Sequence, residues 1–148
     1  MKNDRIQPNQ NLKIPLGTFR IEVRKATFTL TLLYNDTVVK EYPVAIGKDD
    51  ATPEGTFKIA NKLEKPDWDK RNDETGTYEK IKYGDPKNVL GERWMGFAQP
   101  FTSYGIHGTN DDGAIGTTAT KGCVRMRNND VTELYNMVAP MTEVTIVK

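Results

Sequence analysis

A chain of 148 residues, 36% of them hydrophobic, is most simply one domain with a proper core. Its 21 Lys and Arg against 20 Asp and Glu leave a formal charge of +1, which argues against nucleic acid as the main partner. One Cys excludes an internal disulfide and a thiolate metal cluster, and with one His besides, neither a metal site nor a cofactor is expected.

No apolar run approaches the roughly 20 residues of a membrane span. The opening Met1-Lys2-Asn3-Asp4-Arg5 lacks the apolar stretch of a secretory signal, which leaves a mature form, an excised domain or a route without a signal. Residues 1–17, punctuated by Pro8, Pro15 and Gly17, follow no period and read as a linker or tail, with the folded domain over 18–148. From Thr18 apolar and polar residues alternate: Phe19, Ile21 and Val23 against charged neighbours, then Phe28, Leu30 and Leu32 against threonines. That period indicates half-buried strands. Asn35-Asp36 marks a turn into a strand from Thr37 to Ile46, where Pro43 predicts an edge position or a bulge. Thr52-Pro53-Glu54-Gly55 is a further turn, followed by a strand over Thr56–Ala60. Residues 61–88 are charged and long for an internal connection. They read as a disordered excursion or as a flap over a ligand groove, the latter anchored by Trp68, Tyr78, Ile81 and Tyr83. Trp94–Phe97 and Tyr104–His107 read as short buried strands, and Thr142–Val147 as the last one. One helix is expected from about Val131 to Val138, started by a capping-box pair Asp130 and Glu133 and followed by Pro140. The class is mainly β, a sandwich or barrel with one short helix near the C-terminus.

The lone Cys123 stands in Thr120-Lys121-Gly122-Cys123-Val124-Arg125-Met126, and the lone His107, 123 − 107 = 16 residues upstream, in Gly105-Ile106-His107-Gly108-Thr109. A thiol becomes a nucleophile when a base takes its proton, and imidazole is the usual base near neutral pH. Gly122 allows a sharp turn that exposes the sulfur and nearby N–H groups to a tetrahedral oxyanion. Lys121 and Arg125 add positive potential that favours thiolate, and Arg125, two residues on, shares the side of the sulfur and suits a substrate carboxylate. The Gly108 carbonyl is placed to accept the Nδ1 proton and leave Nε2 facing the sulfur. Each residue also has a plainer reading: Cys123 as a small buried hydrophobe, His107 as a satisfied core residue, Lys121 and Arg125 as solvated charges, the glycines as ordinary turns.

These stretches resemble the signature of the YkuD-type L,D-transpeptidases: a histidine, a mid-teens gap, then Ser or Thr, His, Gly and Cys. Thr52-Pro53-Glu54-Gly55-Thr56-Phe57 and Leu90-Gly91-Glu92-Arg93-Trp94-Met95 resemble two further family segments, and the likeness covers about residues 19–147. It implies a β-sandwich with a groove. Cys123 would attack the carbonyl preceding a terminal D-alanine in a peptidoglycan stem peptide, and an amine of a second stem would resolve the thioester into a cross-link. His107 would serve as base and then acid, the Gly122 and Cys123 amides as oxyanion donors, and Arg125 as carboxylate holder. Lys121, Thr120, Tyr104 and Trp94 would border the substrate. Lys121 departs from the family's usual His, so His107 is the sole imidazole. Carbapenem reactivity, an extracytoplasmic or spore setting and a monomer are the further expectations. Ile6 to Pro15 resembles the closing strand of a LysM repeat. Two other readings stay open: an L,D-carboxypeptidase using water as acceptor, and a non-catalytic wall-binding module.

Overall fold

The computed structural model describes residues 18–148, so the linker and the LysM-like strand expected over 1–17 lie outside the described residues. The first alternating run forms β1 (Phe19–Arg24), with Ile21 and Val23 fully buried. β2 (Thr29–Tyr34) pairs antiparallel with it and turns into β3 (Thr37–Ala45). The turn residues Asn35 and Asp36 have φ of 50° and 66°, the left-handed steps of a tight hairpin that Asn and Asp tolerate. A bulge does occur in this ladder, but at Leu32/Leu33 and not at Pro43. Pro43 faces Thr29 between residues whose N–H groups point to β2, as Val44 N–H does to Phe28 O, so its missing donor falls on the side away from that strand.

β4 (Gly55–Glu64) runs beyond the expected Ala60 because its far half finds a partner in β7 (Arg93–Phe97). The rest of the charged stretch is ordered as a hairpin of β5 (Trp68–Arg71) and β6 (Tyr78–Ile81). Trp68 lies opposite the buried Ile81, and Tyr83 Oη donates to Glu92 Oε2 at 2.6 Å, whereas Tyr78 is exposed and anchors nothing. Asn88 fixes the following loop, its buried Nδ2 donating to Pro66 O and Ile81 O.

β8 (Gly105–His107), β9 (Val124–Met126) and β10 (Glu143–Val147) complete a closed barrel in the order β1-β10-β4-β7-β8-β9-β3-β2. Two long strands turn its corners. β3 leaves β2 to pair with β9 at Val44 and Ala45, and β4 passes from β10 to β7 after Lys58. The mainly β, sandwich-or-barrel architecture is therefore as expected. The core holds Ile21, Leu32, Ile59, Met95, Ile106 and Val144, all inaccessible to solvent. β8 and β9 run parallel, which requires a crossover of about a dozen residues or more. Residues 108–123 are that crossover, and they account for the spacing between histidine and cysteine.

The helix α1 (Asn128–Met137) begins three residues earlier than expected and has no side-chain cap at Arg127. The proposed capping box is absent because Glu133 is committed elsewhere: its Oε1 accepts from Lys40 Nζ at 2.7 Å and Tyr42 Oη at 2.6 Å. At the other end Lys62 Nζ donates to the Tyr135 and Val138 carbonyls, the orphan acceptors of a helix C-terminus. Val131 and Leu134 are buried where the helix packs on β7 and β8. Among the described residues, no helix is long and apolar enough to cross a membrane.

Candidate active site

The pleat separates core from chemistry. Ile106 pairs with Val124 and both point inward, so their neighbours His107 and Arg125, also paired, point to the outer face. Trp94 pairs with His107 from β7, extending the row to Trp94–His107–Arg125 across three strands. Cys123 stands in a bend just before β9, two residues from Arg125, whose charge acts on both the Cys123 sulfur and His107.

His107 is only 3% exposed although it leaves the core. The Trp94 ring stacks on it, with centroids 5.9 Å apart and planes at 25°. Its Nδ1 lies 2.6 Å from Gly108 O. A carbonyl only accepts, so Nδ1 carries the proton and Nε2 offers the lone pair. Burial, then the Arg125 charge, push the imidazole down to about 4, with the Gly108 and Val89 main-chain oxygens pulling the other way. The half-buried Cys123 lies 3.6 Å from Ser103 O as a hydrogen-bond donor. Burial pushes its thiol up to about 11, against the opposing pull of the Gly105 N–H and Arg125. The resting pair is thus neutral thiol and neutral imidazole, a correction to the thiolate expected from flanking charge. Removal from water outweighs the nearby cation.

Lys121 needs a second correction. Its side chain is exposed and its Nζ lies 3.8 Å from Asp73 Oδ2 at the turn of the β5–β6 hairpin. A cavity of about 490 Å³ lies between hairpin and loop, lined by Asp73, Tyr78 and Lys121 among others. Among the described residues, the cation whose charge acts on the sulfur is Arg125. Burial works against the Arg125 guanidinium while Asp111 and the sulfur favour it, and its buried Nε has no partner.

The turn that presents the sulfur is held by side chains. Thr120 Oγ1 donates to Cys123 O at 2.7 Å and accepts from Gly122 N–H at 3.1 Å. That bond engages the Gly122 amide, which is therefore not free as the oxyanion donor expected of it. Gly122 has φ of 144°, and a Cβ there would sit 2.6 Å from Tyr104 Cε1. Tyr104 thus forms the wall against which the Cys123 loop lies. Sequence reasoning passed over two residues. Thr52, fully buried, accepts from Gly47 N–H at 2.7 Å and donates to Gly122 O at 2.9 Å. Its place in the Thr-Pro-Glu-Gly segment was a usable signal. Asn128, which bonds both ends of Thr109, carried no signal at all.

The YkuD model for the L,D-transpeptidase catalytic domain matches residues 18–146. YqjB of Bacillus subtilis, named among the L,D-transpeptidases, is 40% identical over 128 residues, covering 84% of this chain and 68% of YqjB. YkuD of the same organism is 38% identical over 129 residues, covering 86% of this chain and 65% of YkuD. The solved catalytic domain of the Enterococcus faecium L,D-transpeptidase aligns with a TM-score of 0.67 at 25% identity, covering 87% of this chain and 96% of that one. An L,D-transpeptidase from Mycobacterium smegmatis aligns at 0.72 with 16% identity, covering 89% and 59%, a likeness of fold. The chain spans about two thirds of the length of the Bacillus relatives. It belongs to the YkuD family of L,D-transpeptidase catalytic domains.

Proposed function

We propose that the domain is a peptidoglycan L,D-transpeptidase acting outside the cytoplasm through Cys123 and His107. One observation carries the reading: the chain's single thiol stands one residue before β9, β9 pairs with β8 beside the single imidazole, the Arg125 charge acts on both groups, and Nδ1 is pinned to Gly108 O. Sγ attacks the carbonyl of the residue preceding the terminal D-alanine while the thiol proton passes to Nε2. The tetrahedral oxyanion collapses, the C–N bond breaks, and His107 returns the proton to the departing amine. An amine of a second stem then attacks the thioester, His107 takes its proton, and the sulfur recovers it on leaving. A resting neutral pair suits this sequence, because both groups already hold the protonation states the first step requires. With Gly122 N–H engaged, the Cys123 N–H is the amide assigned to the oxyanion. Arg125, with its unpartnered Nε on the same face, is assigned a substrate carboxylate.

A solved LD transpeptidase of similar fold is described in complex with imipenem, which supplies the probe. Incubation with imipenem followed by mass spectrometry should give one adduct per chain, absent in Cys123→Ala. His107→Ala should slow its formation by roughly 10²–10⁴. Correctly folded protein that forms no adduct would point instead to a wall-binding module. Digestion of a disaccharide-tetrapeptide then separates the acceptors: a cross-linked dimer marks the transpeptidase, a trimmed tripeptide alone the carboxypeptidase.

A further inference from the structure

Asn128 opens α1 five positions beyond Cys123, and the reaction above gives it no task. Its side-chain amide is nonetheless engaged at both ends. Oδ1 accepts from Thr109 N–H and Glu92 N–H, each at 3.1 Å, and Nδ2 donates to Thr109 O at 2.9 Å. The backbone is shaped around it: a Cβ on Gly108 or on Gly91 would collide with Asn128 Oδ1. Gly91 also has φ of 69°, a conformation glycine adopts freely. One side chain therefore joins the Leu90–Met95 segment to the segment that carries the histidine.

The geometry of a single peptide unit turns this tie into a positioning device. Gly108 C=O and Thr109 N–H belong to one planar trans peptide, in which they point in opposite directions. Whatever holds the N–H aims the carbonyl. Asn128 Oδ1 holds the N–H, and the carbonyl accepts from His107 Nδ1 at 2.6 Å. Hydrogen bonds in series also polarise one another, so the Gly108 oxygen becomes the better acceptor.

We propose that Asn128 is the positioning residue of the general base: through the Gly108–Thr109 peptide it fixes the tautomer and ring orientation of His107. The consequence for rate rests on the transpeptidase reading; the consequence for the tautomer does not. Asn128 takes the part that a carboxylate plays in a Ser–His–Asp triad, one peptide unit removed and uncharged. An uncharged group suits an imidazole kept neutral by burial, since a carboxylate there would favour the imidazolium.

The single histidine makes the test direct, because its ring nitrogens give the only imidazole signals in long-range nitrogen–proton NMR correlations. The wild-type chain should show the Nδ1–H tautomer alone. Asn128→Ala should mix the two tautomers and slow imipenem acylation of Cys123 by about 10- to 100-fold in kinact, leaving KI unchanged. A residue that only tied loops together would lower the unfolding midpoint without moving the tautomer. Asn128→Asp keeps the acceptor toward Thr109 N–H, so it should retain the tautomer and raise the His107 titration midpoint. A folded Asn128→Ala with the wild-type tautomer and rate overturns the proposal. If the Ala variant does not fold, an Asn128→Asp chain whose His107 titrates like wild type overturns it instead. A wild-type chain that never acylates defeats the transpeptidase reading, while the tautomer comparison still decides the role of Asn128.

Discussion

Thr52 shows how one hydroxyl can set a reactive loop. It receives the Gly47 N–H and donates its own O–H to Gly122 O, so the approach of Gly47 to the Cys123 turn depends on it. The contact is close enough that a Cβ on Gly47 would lie 2.8 Å from Gly122 Cα. Lys25, itself buried, donates from Nζ to Thr52 O at 2.7 Å and to Asp50 Oδ1 at 2.7 Å, fixing the segment from behind. Thr52→Val keeps the shape and removes the hydroxyl, leaving a buried donor and a buried acceptor without partners. Urea unfolding should show a loss of about 1–3 kcal/mol, and Thr52→Ser should recover most of it. A Val variant as stable as wild type would show that water or a shifted loop replaces the hydroxyl. At this scale the sequence marked Cys123, His107 and Gly108 for their chemistry. It marked Thr52 only as part of a motif and Asn128 not at all, because a neutral hydroxyl or amide acquires its partners only from what folding brings beside it.

Among elements, the β5–β6 hairpin departs furthest from its sequence reading. Its charged residues bury little, so no apolar period announces two strands; cross-strand pairing and the anchors Trp68 and Ile81 order it. β4 continues past Ala60 for a similar reason. Asn61-Lys62-Leu63-Glu64 lacks an alternating face, yet β7 pairs with it and Lys62 reaches the helix C-terminus. The hairpin turn approaches the Cys123 loop through Lys121 and Asp73, both largely exposed and 3.8 Å apart. A bridge of that kind contributes little to stability, so Lys121→Ala should leave the unfolding midpoint unchanged. Shortening the hairpin by removing residues 72–77 leaves its anchors in place, yet opens one wall of the cavity beside Lys121. Steady-state assays should then show a raised KM for the stem peptide. An unchanged KM and unchanged acceptor use would remove the hairpin from the groove. The helix start was misplaced because Glu133, read as half of a capping box, is drawn to Lys40 and Tyr42 on β3.

For the molecule as a whole, the buried His107 and half-buried Cys123 link stability to pH at both ends of the range. His107 has a folded pKa of about 4 against an ordinary 6.5, so between those values the unfolded chain binds the extra proton. Stability from this group is full above about 6.5 and declines as pH falls toward about 4. Cys123 is raised from 9.0 to about 11, so above 9.0 the unfolded chain releases a proton that the fold retains, and stability declines again toward about 11. Urea midpoints measured across pH should show both declines, the acid one reduced in His107→Gln and the alkaline one in Cys123→Ala. Equal profiles for wild type and His107→Gln would mean that the imidazole is not desolvated. The sequence alone determined the strand-rich class and most of its strands, and it singled out Cys123 and His107 as candidates, since alternation, turn residues and side-chain chemistry are local properties. Only the tertiary structure decided that the pair rests uncharged, that Lys121 turns to the hairpin, and that Thr52 and Asn128 hold the two loops. Solvent exclusion and hydrogen-bond geometry depend on residues distant in the chain, and no window of sequence contains both partners.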